Sequence, residues 1–258
     1  MSKYDYEYRG LMAETWDLLR SGIKDWPDTP QYRKLIKRYG QPALDVGCGT
    51  GRILLPFLLD GLDVDGVDNS PEMLARCREK AQVLNLSPTL YEQTMEGLDL
   101  PRKYKTIFVP SASFQLVTDL SKAHQALERL YAHLEPGGAL VISFMIFEVD
   151  PDDTVWDWKM INEKTRPEDG AIVRKWGHAE FDLVNKLQHT ENRYEVELDG
   201  AIIASEEHRQ SPATRWYSQE EAAAMVEQAG FEDVKVAASH SDKPAEPDAD
   251  SFWVLAIK

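Results

Sequence analysis

The sequence predicts an α/β protein: a mostly parallel seven-stranded sheet with helices on both faces, plus a small antiparallel sheet inserted late in the chain. Three observations lead there. Short apolar runs alternate with amphipathic helical patterns from residue 42 to residue 147, the rhythm of a parallel sheet with crossover helices. Three alternating glycines, Gly47, Gly49 and Gly51, close the first apolar run, and an acid, Asp68, closes the second. Past Phe147 the rhythm changes to strand-like runs joined by Asp199-Gly200, a two-residue hairpin signal.

Taken in order, the N-terminal stretch sets Tyr4, Tyr6, Tyr8 and Trp16 beside Leu11, Leu18 and Leu19 at roughly helical spacing. A second helix starts at Thr29-Pro30, a cap residue followed by proline, and stops at Gly40. The pattern then predicts strand 42–47, helix 50–60, strand 62–67, helix 70–85, strands 89–94 and 104–110, helix 119–134 and strand 139–147. Ser70-Pro71-Glu72 is a helix start and Gly61 a helix stop.

Pro151-Asp152-Asp153 breaks the chain, and strands follow at about 171–181, 185–198 and 201–209. The two-residue loop pairs Leu198 with Ala201, Val196 with Ile203, Tyr194 with Ser205 and Arg193 with Glu206, with the apolar members on one face. The same register sets His208 opposite Glu191 on the more polar face. Helix 218–230 opens with the capping box Ser218/Glu221 and closes at Gly230. Strands 231–238 and 251–257 finish the fold, and the polar, Pro- and Asp-rich segment 240–250 is a surface loop.

With 258 residues the chain can bury a full core. Its net charge of −15 disfavours a large nucleic-acid footprint, so no nucleic-acid partner is expected. No apolar run is long enough to cross a bilayer, and MSKYDYEYRG lacks a signal-peptide core; no membrane association and a cytoplasmic location are expected. Cys48 and Cys77 read as two reduced thiols. The histidines are scattered and neither cysteine lies in a ligand-spaced pair, so no metal site emerges.

The glycines remove side chains where a backbone must turn sharply and approach a ligand. The predicted helix start beyond them offers unpaired N–H groups. Asp68 can accept hydrogen bonds from a ribose diol, as the acid ending the second strand does in dinucleotide folds.

Leu44-Asp45-Val46-Gly47-Cys48-Gly49-Thr50-Gly51-Arg52 and Gly66-Val67-Asp68-Asn69-Ser70-Pro71-Glu72-Met73-Leu74 resemble the Rossmann-like class I S-adenosylmethionine-dependent methyltransferases of small molecules. Leu134-Glu135-Pro136-Gly137-Gly138-Ala139-Leu140-Val141-Ile142 resembles the turn and fifth strand of that family. Trp216-Tyr217-Ser218-Gln219-Glu220-Glu221, running to Ala229-Gly230-Phe231, resembles its last helix. The resemblance covers residues 40–147 and 214–258. It implies a helical lid segment 1–40, a cofactor-binding core 41–147, an antiparallel substrate cap 148–215, and a closing helix and two strands 216–258.

The resemblance places Gly47, Cys48, Gly49 and Gly51, with Asp45, under the methionine part of S-adenosylmethionine, and leaves S-adenosylhomocysteine as product. Asp68 would hold the ribose, with Asn69 and Met73 beside the sugar and adenine. Thr94 stands where relatives often carry an acid for the adenine amino group, and the Met95 N–H would supply a second adenine contact. Lys105-Thr106 stands where the family usually carries an aspartate. Pro110, Ser111, Ser113 and Phe114 would line the methyl-transfer channel. Each has a structural alternative: a tight turn for the glycines, a helix cap for Asp68, amide partnering for Asp45, loop packing for Ser111, Ser113 and Phe114.

Candidates for a base or anchor on the acceptor side are His178, Glu180, His189, Glu207, His208, Arg209, Arg215, Tyr217 and His240. His208 and Tyr217 are the expected catalytic pair, with Tyr8, Trp156, His178 and Arg209 as substrate contacts. Tyr4 and Tyr8 would close as a lid, and Trp156 and Trp158 would wall the pocket or anchor the insert. A base is required only if the acceptor, an amine or hydroxyl, arrives protonated. Monomer and homodimer both remain open. A nicotinamide oxidoreductase would instead repeat strand–helix units after residue 140. A regulatory module would bind the cofactor without transferring its methyl group.

Overall fold

The computed structural model describes residues 7–22, 26–241 and 243–258. From the N-terminus the elements are α1 (Gly10–Leu19), α2 (Asp28–Tyr39), β1 (Ala43–Val46), α3 (Leu54–Leu59), β2 (Val64–Asp68), α4 (Pro71–Val83), β3 (Leu90–Glu92) and β4 (Tyr104–Val109). Then come α5 (Leu120–His133), β5 (Leu134–Met145), β6 (Val155–Thr165), β7 (Ile172–Asp182), β8 (Leu187–Leu198), β9 (Ala201–Arg215), α6 (Gln219–Gln228), β10 (Glu232–Ala238) and β11 (Ser251–Ile257). They form two units: Trp26–Glu148 with Trp216–Lys258, and Met1–Asp25 with Val149–Arg215. The division separates α1 from α2, which the sequence reading groups in one N-terminal segment.

The larger unit is a seven-stranded sheet in the order β10-β11-β5-β4-β1-β2-β3. Strands β1 to β5 run parallel, and β11 and β10 join antiparallel. Central strands buried on both faces read as unbroken apolar runs, and every residue of β1 is buried. Leu44, Val46, Ile107, Val109, Leu140 and Ile142 face one core, with Leu127, Leu130, Met225 and Val226. Ala43, Phe108 and Val141 face the other, with Phe57, Leu74 and Trp253. There the Tyr32 ring stacks between Phe108 and Trp253, at 4.9 and 4.6 Å. The capping box predicted at Ser218 and Glu221 is present.

The predicted helix 50–60 is shorter in the structure, Leu54–Leu59. Gly51 has φ +83°, outside the helical region, so residues 50–53 form turns before the helix can start.

The smaller unit is an antiparallel sheet, β6-β7-β8-β9, with α1 on one face. Met12 and Leu19 of α1 pack on Ala171, Val173, Tyr194 and Val196. Asp199 and Gly200 both have positive φ, 52° and 80°, the pair of values a tight hairpin with the right twist requires. The predicted pairing of Leu198 with Ala201 is found, but a bulge then shifts the register, so Val196 pairs with Ala204 and Tyr194 with Glu206. Ile203 turns outward, 55% exposed, and the smaller Ala204 takes the place beneath α1. His208 consequently pairs with Asn192, not Glu191. Strand β6 was not expected from the sequence, because two irregularities against β7 break its alternation.

Candidate active site

The chain leaves β1 for β2 and β3 on one side and returns to β4 on the other, so the ends of β1 and β4 form the switch point where ligands of such sheets bind. The glycine loop occupies that point. The Gly47 and Cys48 amides donate to the Val67 carbonyl at 2.8 and 3.0 Å, folding the loop back over β2. Gly47 has φ +75°, and a Cβ there would lie 2.9 Å from Ser113 Oγ. At Gly51 a Cβ would lie 2.7 Å from Cys77 Sγ.

Asp68 does two jobs at the end of β2. Its Oδ2 accepts the Gly49 N–H at 2.8 Å, and its Oδ1 accepts the Ser70 N–H at 2.9 Å. Ser70 itself caps α4, its hydroxyl accepting the Met73 N–H at 3.1 Å. Burial raises the Asp68 pKa, opposed by the amides of Ser70, Gly49 and Asn69. A half-buried carboxylate with free lone pairs beside bare loop backbone can accept from a vicinal diol.

Met73, Met95 and Ser113 come together around the loop: Met73 Cε lies 3.4 Å from a Cβ position at Gly49, and Met95 Cε 3.9 Å from one at Gly47. Thr94 is half-buried and Asn69 is exposed, directly after Asp68 in the chain. Cys48 is buried against Gly66, and burial pushes its thiol pKa well up. Beyond Pro110, Ser111 and Ala112 both have left-handed backbone, φ +55° and +57°, a strain that clusters at ligand sites. Ser113 Oγ donates to the Pro110 carbonyl at 2.7 Å. Phe114 is buried in the core beside Phe144 and Tyr217, so it faces packing partners.

Sequence reasoning missed Arg52, Asp28 and Trp26. Arg52 donates to both oxygens of Asp28, at 2.8 and 2.6 Å, and to Ser111 Oγ at 3.2 Å, and its guanidinium lies 4.3 Å from the Trp26 ring centre. It ties the start of α2, the glycine loop and the β4 loop into one frame. The position of Arg52 directly after the third glycine was the available signal. Asp45 lies within that frame, 1% exposed, with Oδ1 lacking a hydrogen-bond partner. Burial pushes its pKa up to about 8 against the pull of Arg52, with Asp68 and Asp28 adding to the rise.

In the smaller unit the acceptor candidates divide between the two faces of the sheet. Adjacent strand residues point to opposite faces. Trp156 pairs with Ala179 and its ring lies 4.6 Å from Phe181, on the face that carries α1. His208 lies on that face too, 2% exposed, 5.5 Å from the Tyr194 ring and 3.4 Å from Glu206. His178 and Arg209 lie on the other face, His178 stacked on Trp158 at 6.0 Å and Arg209 3.3 Å from Glu191. One pocket on this sheet cannot use all four. Tyr8 packs edge-on against Trp16 at 4.9 Å, and Tyr4 lies outside the described residues. Tyr217, in the larger unit, is buried against Phe114 and Phe144.

A row of ionisable groups on the α1 face was also missed. Lys175, Tyr194 and Glu206 are cross-strand neighbours, and Glu206 accepts the Leu11 N–H at 2.6 Å. Burial pushes the Glu7 carboxyl up to about 7, against Lys175 and Arg9.

Among the described residues no group of three or more His, Cys, Asp or Glu side chains is placed to hold a metal, and no helix is long and apolar enough to cross a membrane.

A glycine loop and a strand-end acid at the switch point of a parallel sheet are the arrangement that nucleoside-binding α/β domains share. Residues 43–138 match a family described as a methyltransferase domain. The chain is 25% identical over 258 residues to a protein of Geobacillus sp. (strain WCH70) provisionally named a methyltransferase, covering 97% of each. It is 31% identical over 142 residues to a dTDP-3-amino-3,6-dideoxy-alpha-D-glucopyranose N,N-dimethyltransferase of Streptomyces fradiae, covering 53% of this chain and 54% of that one. Its fold is similar to that of an S-adenosylmethionine-dependent methyltransferase from Clostridium acetobutylicum ATCC 824, with TM-score 0.75 at 18% identity, over 95% of this chain and 96% of that one. Residues 43–138 thus carry a methyltransferase domain, set within the fold of the S-adenosylmethionine-dependent methyltransferases.

Proposed function

We propose that the enzyme methylates an amino group on a small, hydroxylated, sugar-like molecule, with its cofactor held by the 47–51 loop and Asp68. The observation that carries the cofactor part is the Gly49–Asp68 bond, which fixes bare backbone and a carboxylate side by side. The buried, unpartnered Asp45 oxygen beneath the loop suits the positive methionine end. Thr94, Met95, Asn69 and Met73 are assigned to the adenosine, and Pro110, Ser111 and Ser113 to the wall of the transfer channel. The amine acceptor is supported by the Streptomyces fradiae relative, named for an amino-sugar nucleotide.

Bound S-adenosylmethionine supplies an already activated methyl group. The protein's contribution is therefore position, which alone is worth several kcal/mol when a nucleophile is held in line. A neutral amine attacks with its lone pair and loses its proton afterwards. We assign the smaller unit, Val149–Arg215 with α1, to acceptor recognition. Tyr217 is reassigned from catalysis to packing against Phe114 and Phe144. The buried cysteines Cys48 and Cys77, neither of them in a disulfide, suit a reducing compartment such as the cytoplasm.

The test is transfer of labelled methyl from S-adenosylmethionine to dTDP-3-amino-3,6-dideoxyglucose and to its 3-hydroxyl counterpart. Label on nitrogen alone is expected; label on the hydroxyl compound alone overturns the amine assignment.

A further inference from the structure

Asp45 sits on β1 between Gly66 of β2 and Phe108 of β4, 1% exposed, and its Oδ1 accepts no hydrogen bond. The titratable and charged groups that face it come from three directions. From α2 come Asp28 and Tyr32, from the loop Cys48 and Arg52, and from β2 Asp68. Arg52 is the one cation among these, and its terminal nitrogens are already committed to both oxygens of Asp28. The Gly49 N–H is committed to Asp68. The Leu54 amide is the backbone support left to Asp45. An ionised Asp45 would thus be a second buried carboxylate, after Asp28, beside one guanidinium. A buried charge without a partner either finds a counter-ion or neutralises.

We infer that Asp45 carries a proton when the protein is without cofactor, and releases it to solvent as the positively charged methionine end of S-adenosylmethionine binds. This rests on the reading of the 47–51 loop as the cofactor site. The exchange balances: the carboxylic acid becomes a carboxylate, the proton goes to buffer, and a cationic ligand group takes the proton's place as counter-charge. Burial that pushes the Asp45 pKa up to about 8 agrees with a proton held at neutral pH. Cofactor affinity then rises with pH below that value, roughly tenfold per pH unit, and levels off above it. It also makes Asp45 a specificity element that favours a cationic ligand over a neutral isostere.

The experiment is calorimetric titration of the full chain with S-adenosylmethionine near neutral pH, in phosphate and in Tris, whose ionisation heats differ. Proton release predicts more heat evolved in Tris, by the equivalent of nearly one proton, and buffer-independent heat in Asp45→Asn. Should that variant fail to fold, the pH dependence of wild-type affinity gives the same answer. S-adenosylhomocysteine keeps the ammonium and lacks the sulfonium. Release with both ligands supports exchange against the ammonium, and release with S-adenosylmethionine alone supports exchange against the sulfonium. Equal heats in both buffers, with binding intact, overturn the inference and leave the cofactor reading standing. No binding in either buffer overturns both.

Discussion

Arg52 grips the buried carboxylate of Asp28 with both terminal nitrogens, at 2.8 and 2.6 Å, across 24 residues of chain. Asp28 opens α2, and Arg52 closes the glycine loop, so this pair fixes the loop against a helix. Arg52→Lys keeps the charge and loses the fork that matches a carboxylate. A weakened, largely buried pair costs about 2 kcal/mol here, which lowers the melting temperature by roughly 4–8 °C. Cofactor affinity should fall with it, because Ser111 loses its Arg52 contact. Differential scanning calorimetry and equilibrium binding check both; an unchanged melting point would show the pair to be idle.

Gly51 and Gly61 share a left-handed backbone and differ in space. A Cβ at Gly51 meets Cys77 Sγ at 2.7 Å and Leu55 Cγ at 2.8 Å, whereas one at Gly61 meets nothing within 4 Å. Gly61→Ala should cost about 1 kcal/mol from backbone strain alone. Gly51→Ala adds overpacking and should cost about 2–4 kcal/mol. Denaturant midpoints of the two variants compare them directly, and equal losses would refute the steric account.

Much of this was legible in the sequence, because the parallel sheet is written in local patterns. Apolar runs, Ser70 and Ser218 caps and the Asp199-Gly200 hairpin each declare themselves within a few residues. The failures have physical causes. The bulge after Val196 and the two irregularities in β6 each shift a side chain by one face, and an alternation pattern cannot anticipate an extra residue. The bulge placed His208 on the buried face beside Tyr194. The Arg52–Asp28 pair joins distant segments, so its partners carry no shared local pattern. In the candidate site the glycine loop, Asp68 and Met73 were readable, and the frame that holds them was not.

The pH dependence of stability follows from Asp45. Its folded pKa, about 8, lies above the ordinary carboxylate value near 3.8. A group raised on folding contributes fully below its unfolded pKa, and that contribution is lost as pH rises through the folded one. The cofactor-free protein should therefore lose stability between about pH 4 and pH 8, and Asp45→Asn should flatten that decline. Melting curves across the range test this; parallel slopes for the two proteins would contradict it.

Glu7 gives the N-terminal segment a similar dependence. Burial raises its carboxyl from 4.5 to about 7, and Lys175 beside it is held down by burial and Arg20. Docking of this segment is favoured below that pH and weakens as pH rises through it. Amide exchange in α1, corrected for intrinsic rates, should be faster on the alkaline side. Glu7→Gln should remove the difference, and no change in the variant would exclude Glu7 as the cause.

The account rests most heavily on Asp68 and its bond to the Gly49 amide. Losing a carboxylate that fixes the loop, and that we propose accepts from the ligand, costs about 2–3 kcal/mol, or roughly 30- to 150-fold in affinity. Calorimetric titration of Asp68→Ala with S-adenosylhomocysteine measures it. The expected result is a folded protein with affinity reduced by that factor. Wild-type affinity in the folded variant would contradict the assignment of the site.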